Sequence, residues 1–123
     1  MHRAVRARYA RRVTASLERF RELLAIPTVS FADESQVDRS AFERFAEALE
    51  RLYPLVHERL ELEIVAGYSR LYRWPGSTDE QPLVLMAHQD VVPVVDEEWQ
   101  TPPFDPTVLG DGADAAIHAR GAI

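Results

Sequence analysis

The residues of this sequence best suited to chemistry are His88 and Asp90, which directly follow an all-apolar run at positions 83–87. Residues i and i+2 of a strand point to the same side, so the two side chains converge if extended geometry persists past Ala87. A metal-bound histidine usually donates its other ring N–H to a carboxylate, which fixes its tautomer. His88 is therefore a candidate metal ligand, and Asp90 is the candidate carboxylate that supports catalysis by orienting it. A single histidine making an ordinary hydrogen bond is the alternative, and three residues alone do not decide.

The composition restricts the other functions that the chain could have. Cysteine is absent, so a metal would have only histidine and carboxylate side chains as ligands. All 14 basic residues are arginines, and seven of them lie in the first 21 positions, whereas nine acidic residues and one arginine follow from Asp79 onward. A nucleic-acid module would place basic residues on one face, often beside aromatic residues. We therefore expect no nucleic-acid partner. We also expect no membrane association, because no apolar run approaches the length needed to span a bilayer. The expected location is the cytoplasm.

Two helices are predicted before the apolar run. Residues 5–25 carry apolar residues at helical spacing, and the Ile26-Pro27 step ends that pattern. Its Arg-rich start favours a solvated surface helix, with an amphipathic targeting peptide as the alternative. Ser40 and Glu43 form a candidate capping box for a second helix that ends near Pro54.

Strand patterns follow the helices. Alternating residues 59–64 predict a half-buried strand, and residues 69–74 complete a hairpin across Gly67-Tyr68. The run at 83–87 lacks polar alternation, which predicts a central strand covered on both faces. Short strands are expected at 108–109 and 115–119, which form a second hairpin around the Gly110-Asp111-Gly112 turn. This order suits a three-layer α/β domain with a mixed sheet, in which ligands bind at the carboxyl ends of strands.

A wider set of motifs resembles a known enzyme family. His88-Gln-Asp90-Val-Val-Pro93 is followed by Trp99, by Pro103-Phe104 and by Ala119-Arg120-Gly121, and upstream lie Ile26-Pro27-Thr-Val-Ser30 and Gly67-Tyr68-Ser69. This pattern resembles the zinc metallopeptidase family of aminoacylases, carnosinases, acetylornithine deacetylases and glutamate carboxypeptidases, with the aminoacylase and carnosinase-like branch nearest. The resemblance covers nearly the whole chain.

The resemblance implies a role for each matching residue. His88 corresponds to a ligand of one of two zinc ions, and Asp90 to the carboxylate that orients it. The family's next ligand, the Asp of an Asp-x-Lys motif, is expected directly after Ile123. Residues 1–123 are therefore expected to be the N-terminal part of a three-layer α/β/α catalytic domain, without the inserted dimerisation domain.

The same resemblance implies the reaction of the whole protein. Two zinc ions would activate a water that attacks an amide carbonyl, with N-acyl amino acids or small dipeptides as substrates and a homodimer as the assembly. One histidine does not make a catalytic zinc site, so the 123 residues alone are expected to be inactive and to bind zinc weakly. They are also expected to behave poorly alone, because an uncovered apolar strand invites aggregation. A non-catalytic binding or regulatory module derived from such an enzyme is the alternative, and a two-metal phosphoesterase is disfavoured by the downstream motifs.

Other polar residues are assigned structural roles. Arg120 is expected to support the fold, and Gly121 to allow a close backbone approach or a positive φ. Trp99 and Phe104 are expected to anchor their loop. His57 is expected on the solvated surface and His118 to be structural. Turn chemistry accounts for Asp111 and Asp114, and the acidic residues 96–98 are expected to form a solvated loop.

Overall fold

A computed structural model describes residues 14–78, 80–95, 98–111 and 114–122. The predicted helix over residues 5–25 is described from residue 14, where α1 covers residues 14–24. The part predicted at 5–13 lies outside the described residues. The helix ends before Pro27, as the sequence predicts.

The second helix, α2, spans Arg39–Leu52 and begins two residues earlier than the predicted capping box requires. Asp38 is its N-cap, with Oδ1 accepting hydrogen bonds from the Ser40 backbone N–H at 3.0 Å and from Ser40 Oγ at 2.6 Å. The prediction of Ser40 as the cap was wrong. Aspartate and serine are both good N-caps, and here the upstream carboxylate satisfies the open N–H groups while Ser40 lies in the first turn.

A third helix was missed by the sequence analysis. Tyr53 ends α2, and α3 then spans Pro54–Arg59 with proline at its start. Proline is well tolerated there because the first helical N–H has no partner within the helix and the ring presets φ. Pro54 therefore ends one helix and begins another. A short 3-10 helix, Glu34–Gln36, precedes α2.

The strands form two separate antiparallel hairpins. β1 (Glu61–Val65) pairs with β2 (Ser69–Arg73), and β3 (Thr107–Leu109) pairs with β4 (Ala116–His118). Both hairpins were predicted. β1 is exposed along its whole length rather than half-buried, whereas β2 alternates between exposed and half-buried residues.

The predicted central strand at 83–87 was wrong for this structure. Residues 83–87 have no regular secondary structure, and Leu83, Val84, Leu85 and Met86 are 73% to 92% exposed. An apolar strand of this kind needs neighbouring strands on its edges and layers on both faces. No described segment pairs with it.

Among the described residues, the buried hydrophobic side chains are three alanines and one phenylalanine. Ala41, Phe42 and Ala48 of α2 are buried, and the Phe42 ring lies 5.4 Å from that of Tyr68 in the first hairpin turn. Ala119, directly after β4, is also buried. The combination of helices and strands confirms the coarse α/β prediction. The three-layer arrangement and the mixed sheet stay predictions.

Candidate functional site

The segment that carries His88 and Asp90 is held by the loop that follows α1. Val29 and Val91 form a parallel β-bridge, in which Ser30 N–H donates to Val91 O and Val91 N–H donates to Thr28 O, each at 2.9 Å. The Thr28 hydroxyl donates to Gln89 O at 2.6 Å, and Thr28 is only 2% exposed. Three hydrogen bonds therefore fix the backbone on both sides of Asp90.

Two further contacts hold the same segment from other parts of the chain. Gln89 Nε2 donates to Tyr68 O at 2.9 Å, which joins the segment to the turn between β1 and β2. Arg120 Nε donates to Val92 O at 3.1 Å, a contact that agrees with the structural role predicted for this arginine.

Gly121, the next residue, lies against Val91. Its φ is +88°, and a Cβ placed there would lie 3.2 Å from Val91 Cγ1. Both expectations for Gly121, a positive φ and a close approach, are confirmed.

The structure brings His88 and Asp90 together, although no regular strand carries them. His88 Nδ1 lies 2.8 Å from the backbone oxygen of Asp90 and 3.3 Å from its carboxylate Oδ1. Both oxygens are acceptors, so in the neutral imidazole Nδ1 carries the proton and Nε2 keeps its lone pair. The His88 side chain is 77% exposed, which leaves Nε2 accessible to a ligand from solvent.

Ser30 is a neighbour of this pair that the sequence reasoning did not single out. Its hydroxyl donates to Asp90 Oδ2 at 2.7 Å, the short distance expected of a hydrogen bond to a charged acceptor. This bond is the main cause that holds the pKa of Asp90 below its ordinary value, while partial burial of the carboxylate acts in the opposite direction. The signal in the sequence was the matched segment at 26–30, whose Thr28 and Ser30 both bond to residues 89–91.

The chemistry of the donor set fits one ligand of a zinc site. His88 Nε2 is a suitable nitrogen donor, and Nδ1 contacts the backbone oxygen of Asp90 at 2.8 Å and its carboxylate at 3.3 Å. Metal-bound histidines usually donate their other ring N–H to a backbone carbonyl or a carboxylate. A catalytic zinc ion needs about three protein ligands. In the part of the chain that the structure describes, no group of three or more His, Asp or Glu residues could hold a metal ion. The described residues therefore offer one candidate ligand, His88, and one candidate supporting residue, Asp90.

His57 is not the solvated residue that the sequence predicts. It is half-buried, with Nδ1 3.0 Å from Tyr53 O and Nε2 2.8 Å from the Tyr72 hydroxyl. The carbonyl accepts from Nδ1, so Nε2 accepts from Tyr72, and burial raises the pKa of that tyrosine. His57 thus joins α3 to β2. His57 and Tyr72 are 15 positions apart, so no local sequence pattern indicated this contact.

The remaining candidates lie away from the pair or in structural settings. His118 is exposed in β4 opposite Thr107. Trp99 and Phe104 are half-buried, as loop anchoring requires. The Asp114 N–H donates to Asp111 O, which fits the predicted turn. Of the acidic loop predicted at 96–98, residues 96 and 97 lie outside the described residues. No helix in the described part of the chain is both long and apolar enough to span a bilayer.

Comparison with known proteins yields relatives with peptidase and hydrolase names. A probable carboxypeptidase S-like protein of Dictyostelium discoideum is 37% identical over 106 residues, which are 85% of this chain and 21% of the relative. The N-fatty-acyl-amino acid synthase/hydrolase of Mus musculus is 39% identical over 86% of this chain and 21% of its own length. Carboxypeptidase S of Saccharomyces cerevisiae is 39% identical over 73% of this chain and 17% of its own length.

Most of the chain is thus similar to part of carboxypeptidase S and of related peptidases. The family resemblance stated from the motifs is thereby confirmed. These relatives do not test the expected proximity to the aminoacylase and carnosinase-like branch. The chain spans about a fifth of the length of the relatives it matches. No family model and no solved structure matches it.

Proposed function

We propose that the protein to which these residues belong is a zinc-dependent hydrolase that cleaves amide bonds of N-acyl amino acids or small peptides. The observation that carries the proposal is the His88–Asp90 pair, with Nδ1 directed at acceptors of Asp90 and Nε2 open. The names of the relatives, which include carboxypeptidases and N-fatty-acyl-amino acid hydrolases, support the same class of reaction.

The residues of this chain have defined tasks in such a site. Two zinc ions would supply Lewis acidity for amide hydrolysis when bound. His88 offers the Nε2 lone pair, and Asp90 accepts a hydrogen bond from Nδ1–H, which keeps the ring in the tautomer that can bind a metal. Thr28 and the bridge between Val29 and Val91 hold the backbone of both residues in place.

The test is His88→Ala in the full-length gene product, with His118→Ala as the matched control. His118 is an exposed histidine on β4, so its loss should leave zinc content and turnover near the wild-type values. His88→Ala should lower both zinc content and the hydrolysis of N-acyl amino acids. Normal zinc content together with most of the activity in His88→Ala would refute the assignment.

The 123 residues by themselves are proposed to lack hydrolase activity, because one imidazole does not hold a catalytic zinc ion. Calorimetric titration of this chain with zinc should show weak binding. Stoichiometric binding with a sub-micromolar Kd would contradict the proposal.

A non-catalytic binding or regulatory module is the second candidate, favoured by the single metal ligand found among the described residues. Reading the coding sequence beyond codon 123 separates the two. An Asp-x-Lys motif directly downstream supports the enzyme, whereas a stop codon supports the module.

A further inference from the structure

The carboxylate of Asp90 has a different partner on each oxygen. Oδ1 lies 3.3 Å from His88 Nδ1, and Oδ2 accepts a hydrogen bond from Ser30 Oγ at 2.7 Å. Rotation of an aspartate carboxylate about its terminal bond is broad. A contact on one oxygen alone therefore leaves the plane of the group poorly defined, and the second contact restricts it.

Ser30 is itself fixed by its backbone. Its N–H donates to Val91 O at 2.9 Å within the bridge between residues 28–30 and 89–91. The hydroxyl has two acceptors within range, Asp90 Oδ2 at 2.7 Å and Val91 O at 3.5 Å. The shorter contact to the ionised group is the stronger, so the hydroxyl proton is directed at Asp90.

We propose that Ser30 is a positioning residue, which orients the Asp90 carboxylate toward His88 Nδ1 and thereby keeps the His88 Nε2 lone pair available for a divalent cation. This inference rests on the proposed function, because it assigns the same histidine to the metal. Ser30 thus orients the Asp90 carboxylate, and Asp90 in turn orients the His88 ring. Ser30 touches neither the metal nor the substrate.

The geometry separates this role from a purely structural one. The bonds that fix the two backbones come from Thr28 and from the main chain of residue 30, and both persist when the Ser30 hydroxyl is removed. Loss of the hydroxyl should therefore alter the histidine and its metal affinity more than it alters the fold.

The experiment compares Ser30→Ala, Ser30→Thr and Ser77→Ala in the full-length gene product. Ser77 is an exposed loop serine, and its variant controls for the loss of a hydroxyl elsewhere. Nitrogen-15 NMR of the metal-free, histidine-labelled protein reports the His88 tautomer, with the resonance assigned by its absence in His88→Gln. Calorimetry with zinc alone reports affinity, and circular dichroism confirms folding.

Ser30→Ala should weaken zinc binding by about 3- to 10-fold. This effect is smaller than the roughly 10- to 100-fold typical of groups that contact a metal ligand directly. Ser30→Ala should also reduce the population of the Nδ1–H tautomer, but to a smaller degree, because the backbone oxygen of Asp90, 2.8 Å from Nδ1, stays in place. Ser30→Thr retains a hydroxyl and should restore both readouts, and Ser77→Ala should match the wild type.

Wild-type tautomer population and zinc affinity in Ser30→Ala would overturn the inference, as would an equal loss in Ser30→Thr. The His88→Ala test separates these outcomes from failure of the proposed function. If His88→Ala loses zinc while Ser30→Ala changes neither readout, only the role of Ser30 fails. If His88→Ala keeps its zinc and activity, the metal assignment itself fails.

Discussion

Replacement of Thr28 by valine tests what holds the His88–Asp90 segment in place. Valine has nearly the same shape as threonine, so the substitution removes the 2.6 Å hydrogen bond to Gln89 O without opening a cavity. The backbone bond from Val91 N–H to Thr28 O is retained. The variant therefore isolates one hydroxyl that lies in an almost fully buried residue.

The expected cost follows from the burial of the two partners. A typical hydrogen bond contributes about 0.5–1.5 kcal/mol, and leaving a buried acceptor unsatisfied costs about 1–3 kcal/mol. Thr28 is 2% exposed, but Gln89 is only half-buried, so water can partly satisfy its carbonyl. We therefore expect Thr28→Val to destabilise this part of the fold by about 1–2 kcal/mol, in the lower part of the roughly 1–3 kcal/mol cost of an unsatisfied buried acceptor.

Native-state hydrogen exchange of the Ser30 and Val91 amides is the appropriate assay, because both report opening of the bridge. A loss of this size should accelerate their exchange by about 5- to 30-fold. Thr28→Ser keeps the hydroxyl and should exchange nearly as slowly as the wild type.

Thr107→Val removes a comparable side-chain bond, 2.9 Å to Asp105 O in an exposed setting, and should leave both amides unchanged. Unaltered exchange in Thr28→Val would refute the view that this hydroxyl holds the site. Equal acceleration in Thr107→Val would show that the effect is not local.

Three further outcomes are expected. Gly121→Ala should destabilise the fold by about 1–3 kcal/mol, because Gly121 has a positive φ and a Cβ there would press against Val91. Gly67→Ala should cost less, because Gly67 has a similar φ but no neighbour within 4 Å of an added Cβ. Equal shifts in Tm for the two variants would contradict the role of the Val91 contact. The Ser40 hydrogen bond holds the pKa of Asp38 below its ordinary value of 3.8, so the contribution of this carboxylate is complete above pH 3.8 and is lost as pH falls through the lower folded-state value. Asp38→Ala should therefore destabilise the protein near neutral pH by an amount that shrinks in acid, and a constant difference in urea unfolding would show otherwise. Leu85→Lys in the 123-residue chain should reduce self-association in sedimentation velocity, because Leu85 is 86% exposed. For the same reason it should change the free energy of unfolding by no more than about 0.5 kcal/mol. A larger loss of stability would mean that Leu85 is buried.

Local patterns in the sequence were sufficient for the elements that depend on neighbours along the chain. The end of α1 before Pro27, most of α2 and both hairpins follow from spacing, proline geometry and turn residues, which act over a few positions. The pairing of His88 with Asp90 is of the same kind, because the two residues are only two positions apart. The third helix was missed because proline signals both the end of one helix and the start of the next.

Tertiary structure decided the contacts between distant segments. Ser30 and Asp90 are 60 positions apart, and Thr28 and Gln89 are 61 apart. No local pattern indicates that a hydroxyl in one loop will bond to a carboxylate or a carbonyl in another. The same reason explains the error at 83–87. The apolar composition of residues 83–87 favours a strand covered on both faces. A strand forms only when a neighbouring strand pairs with it, and no described segment pairs with residues 83–87.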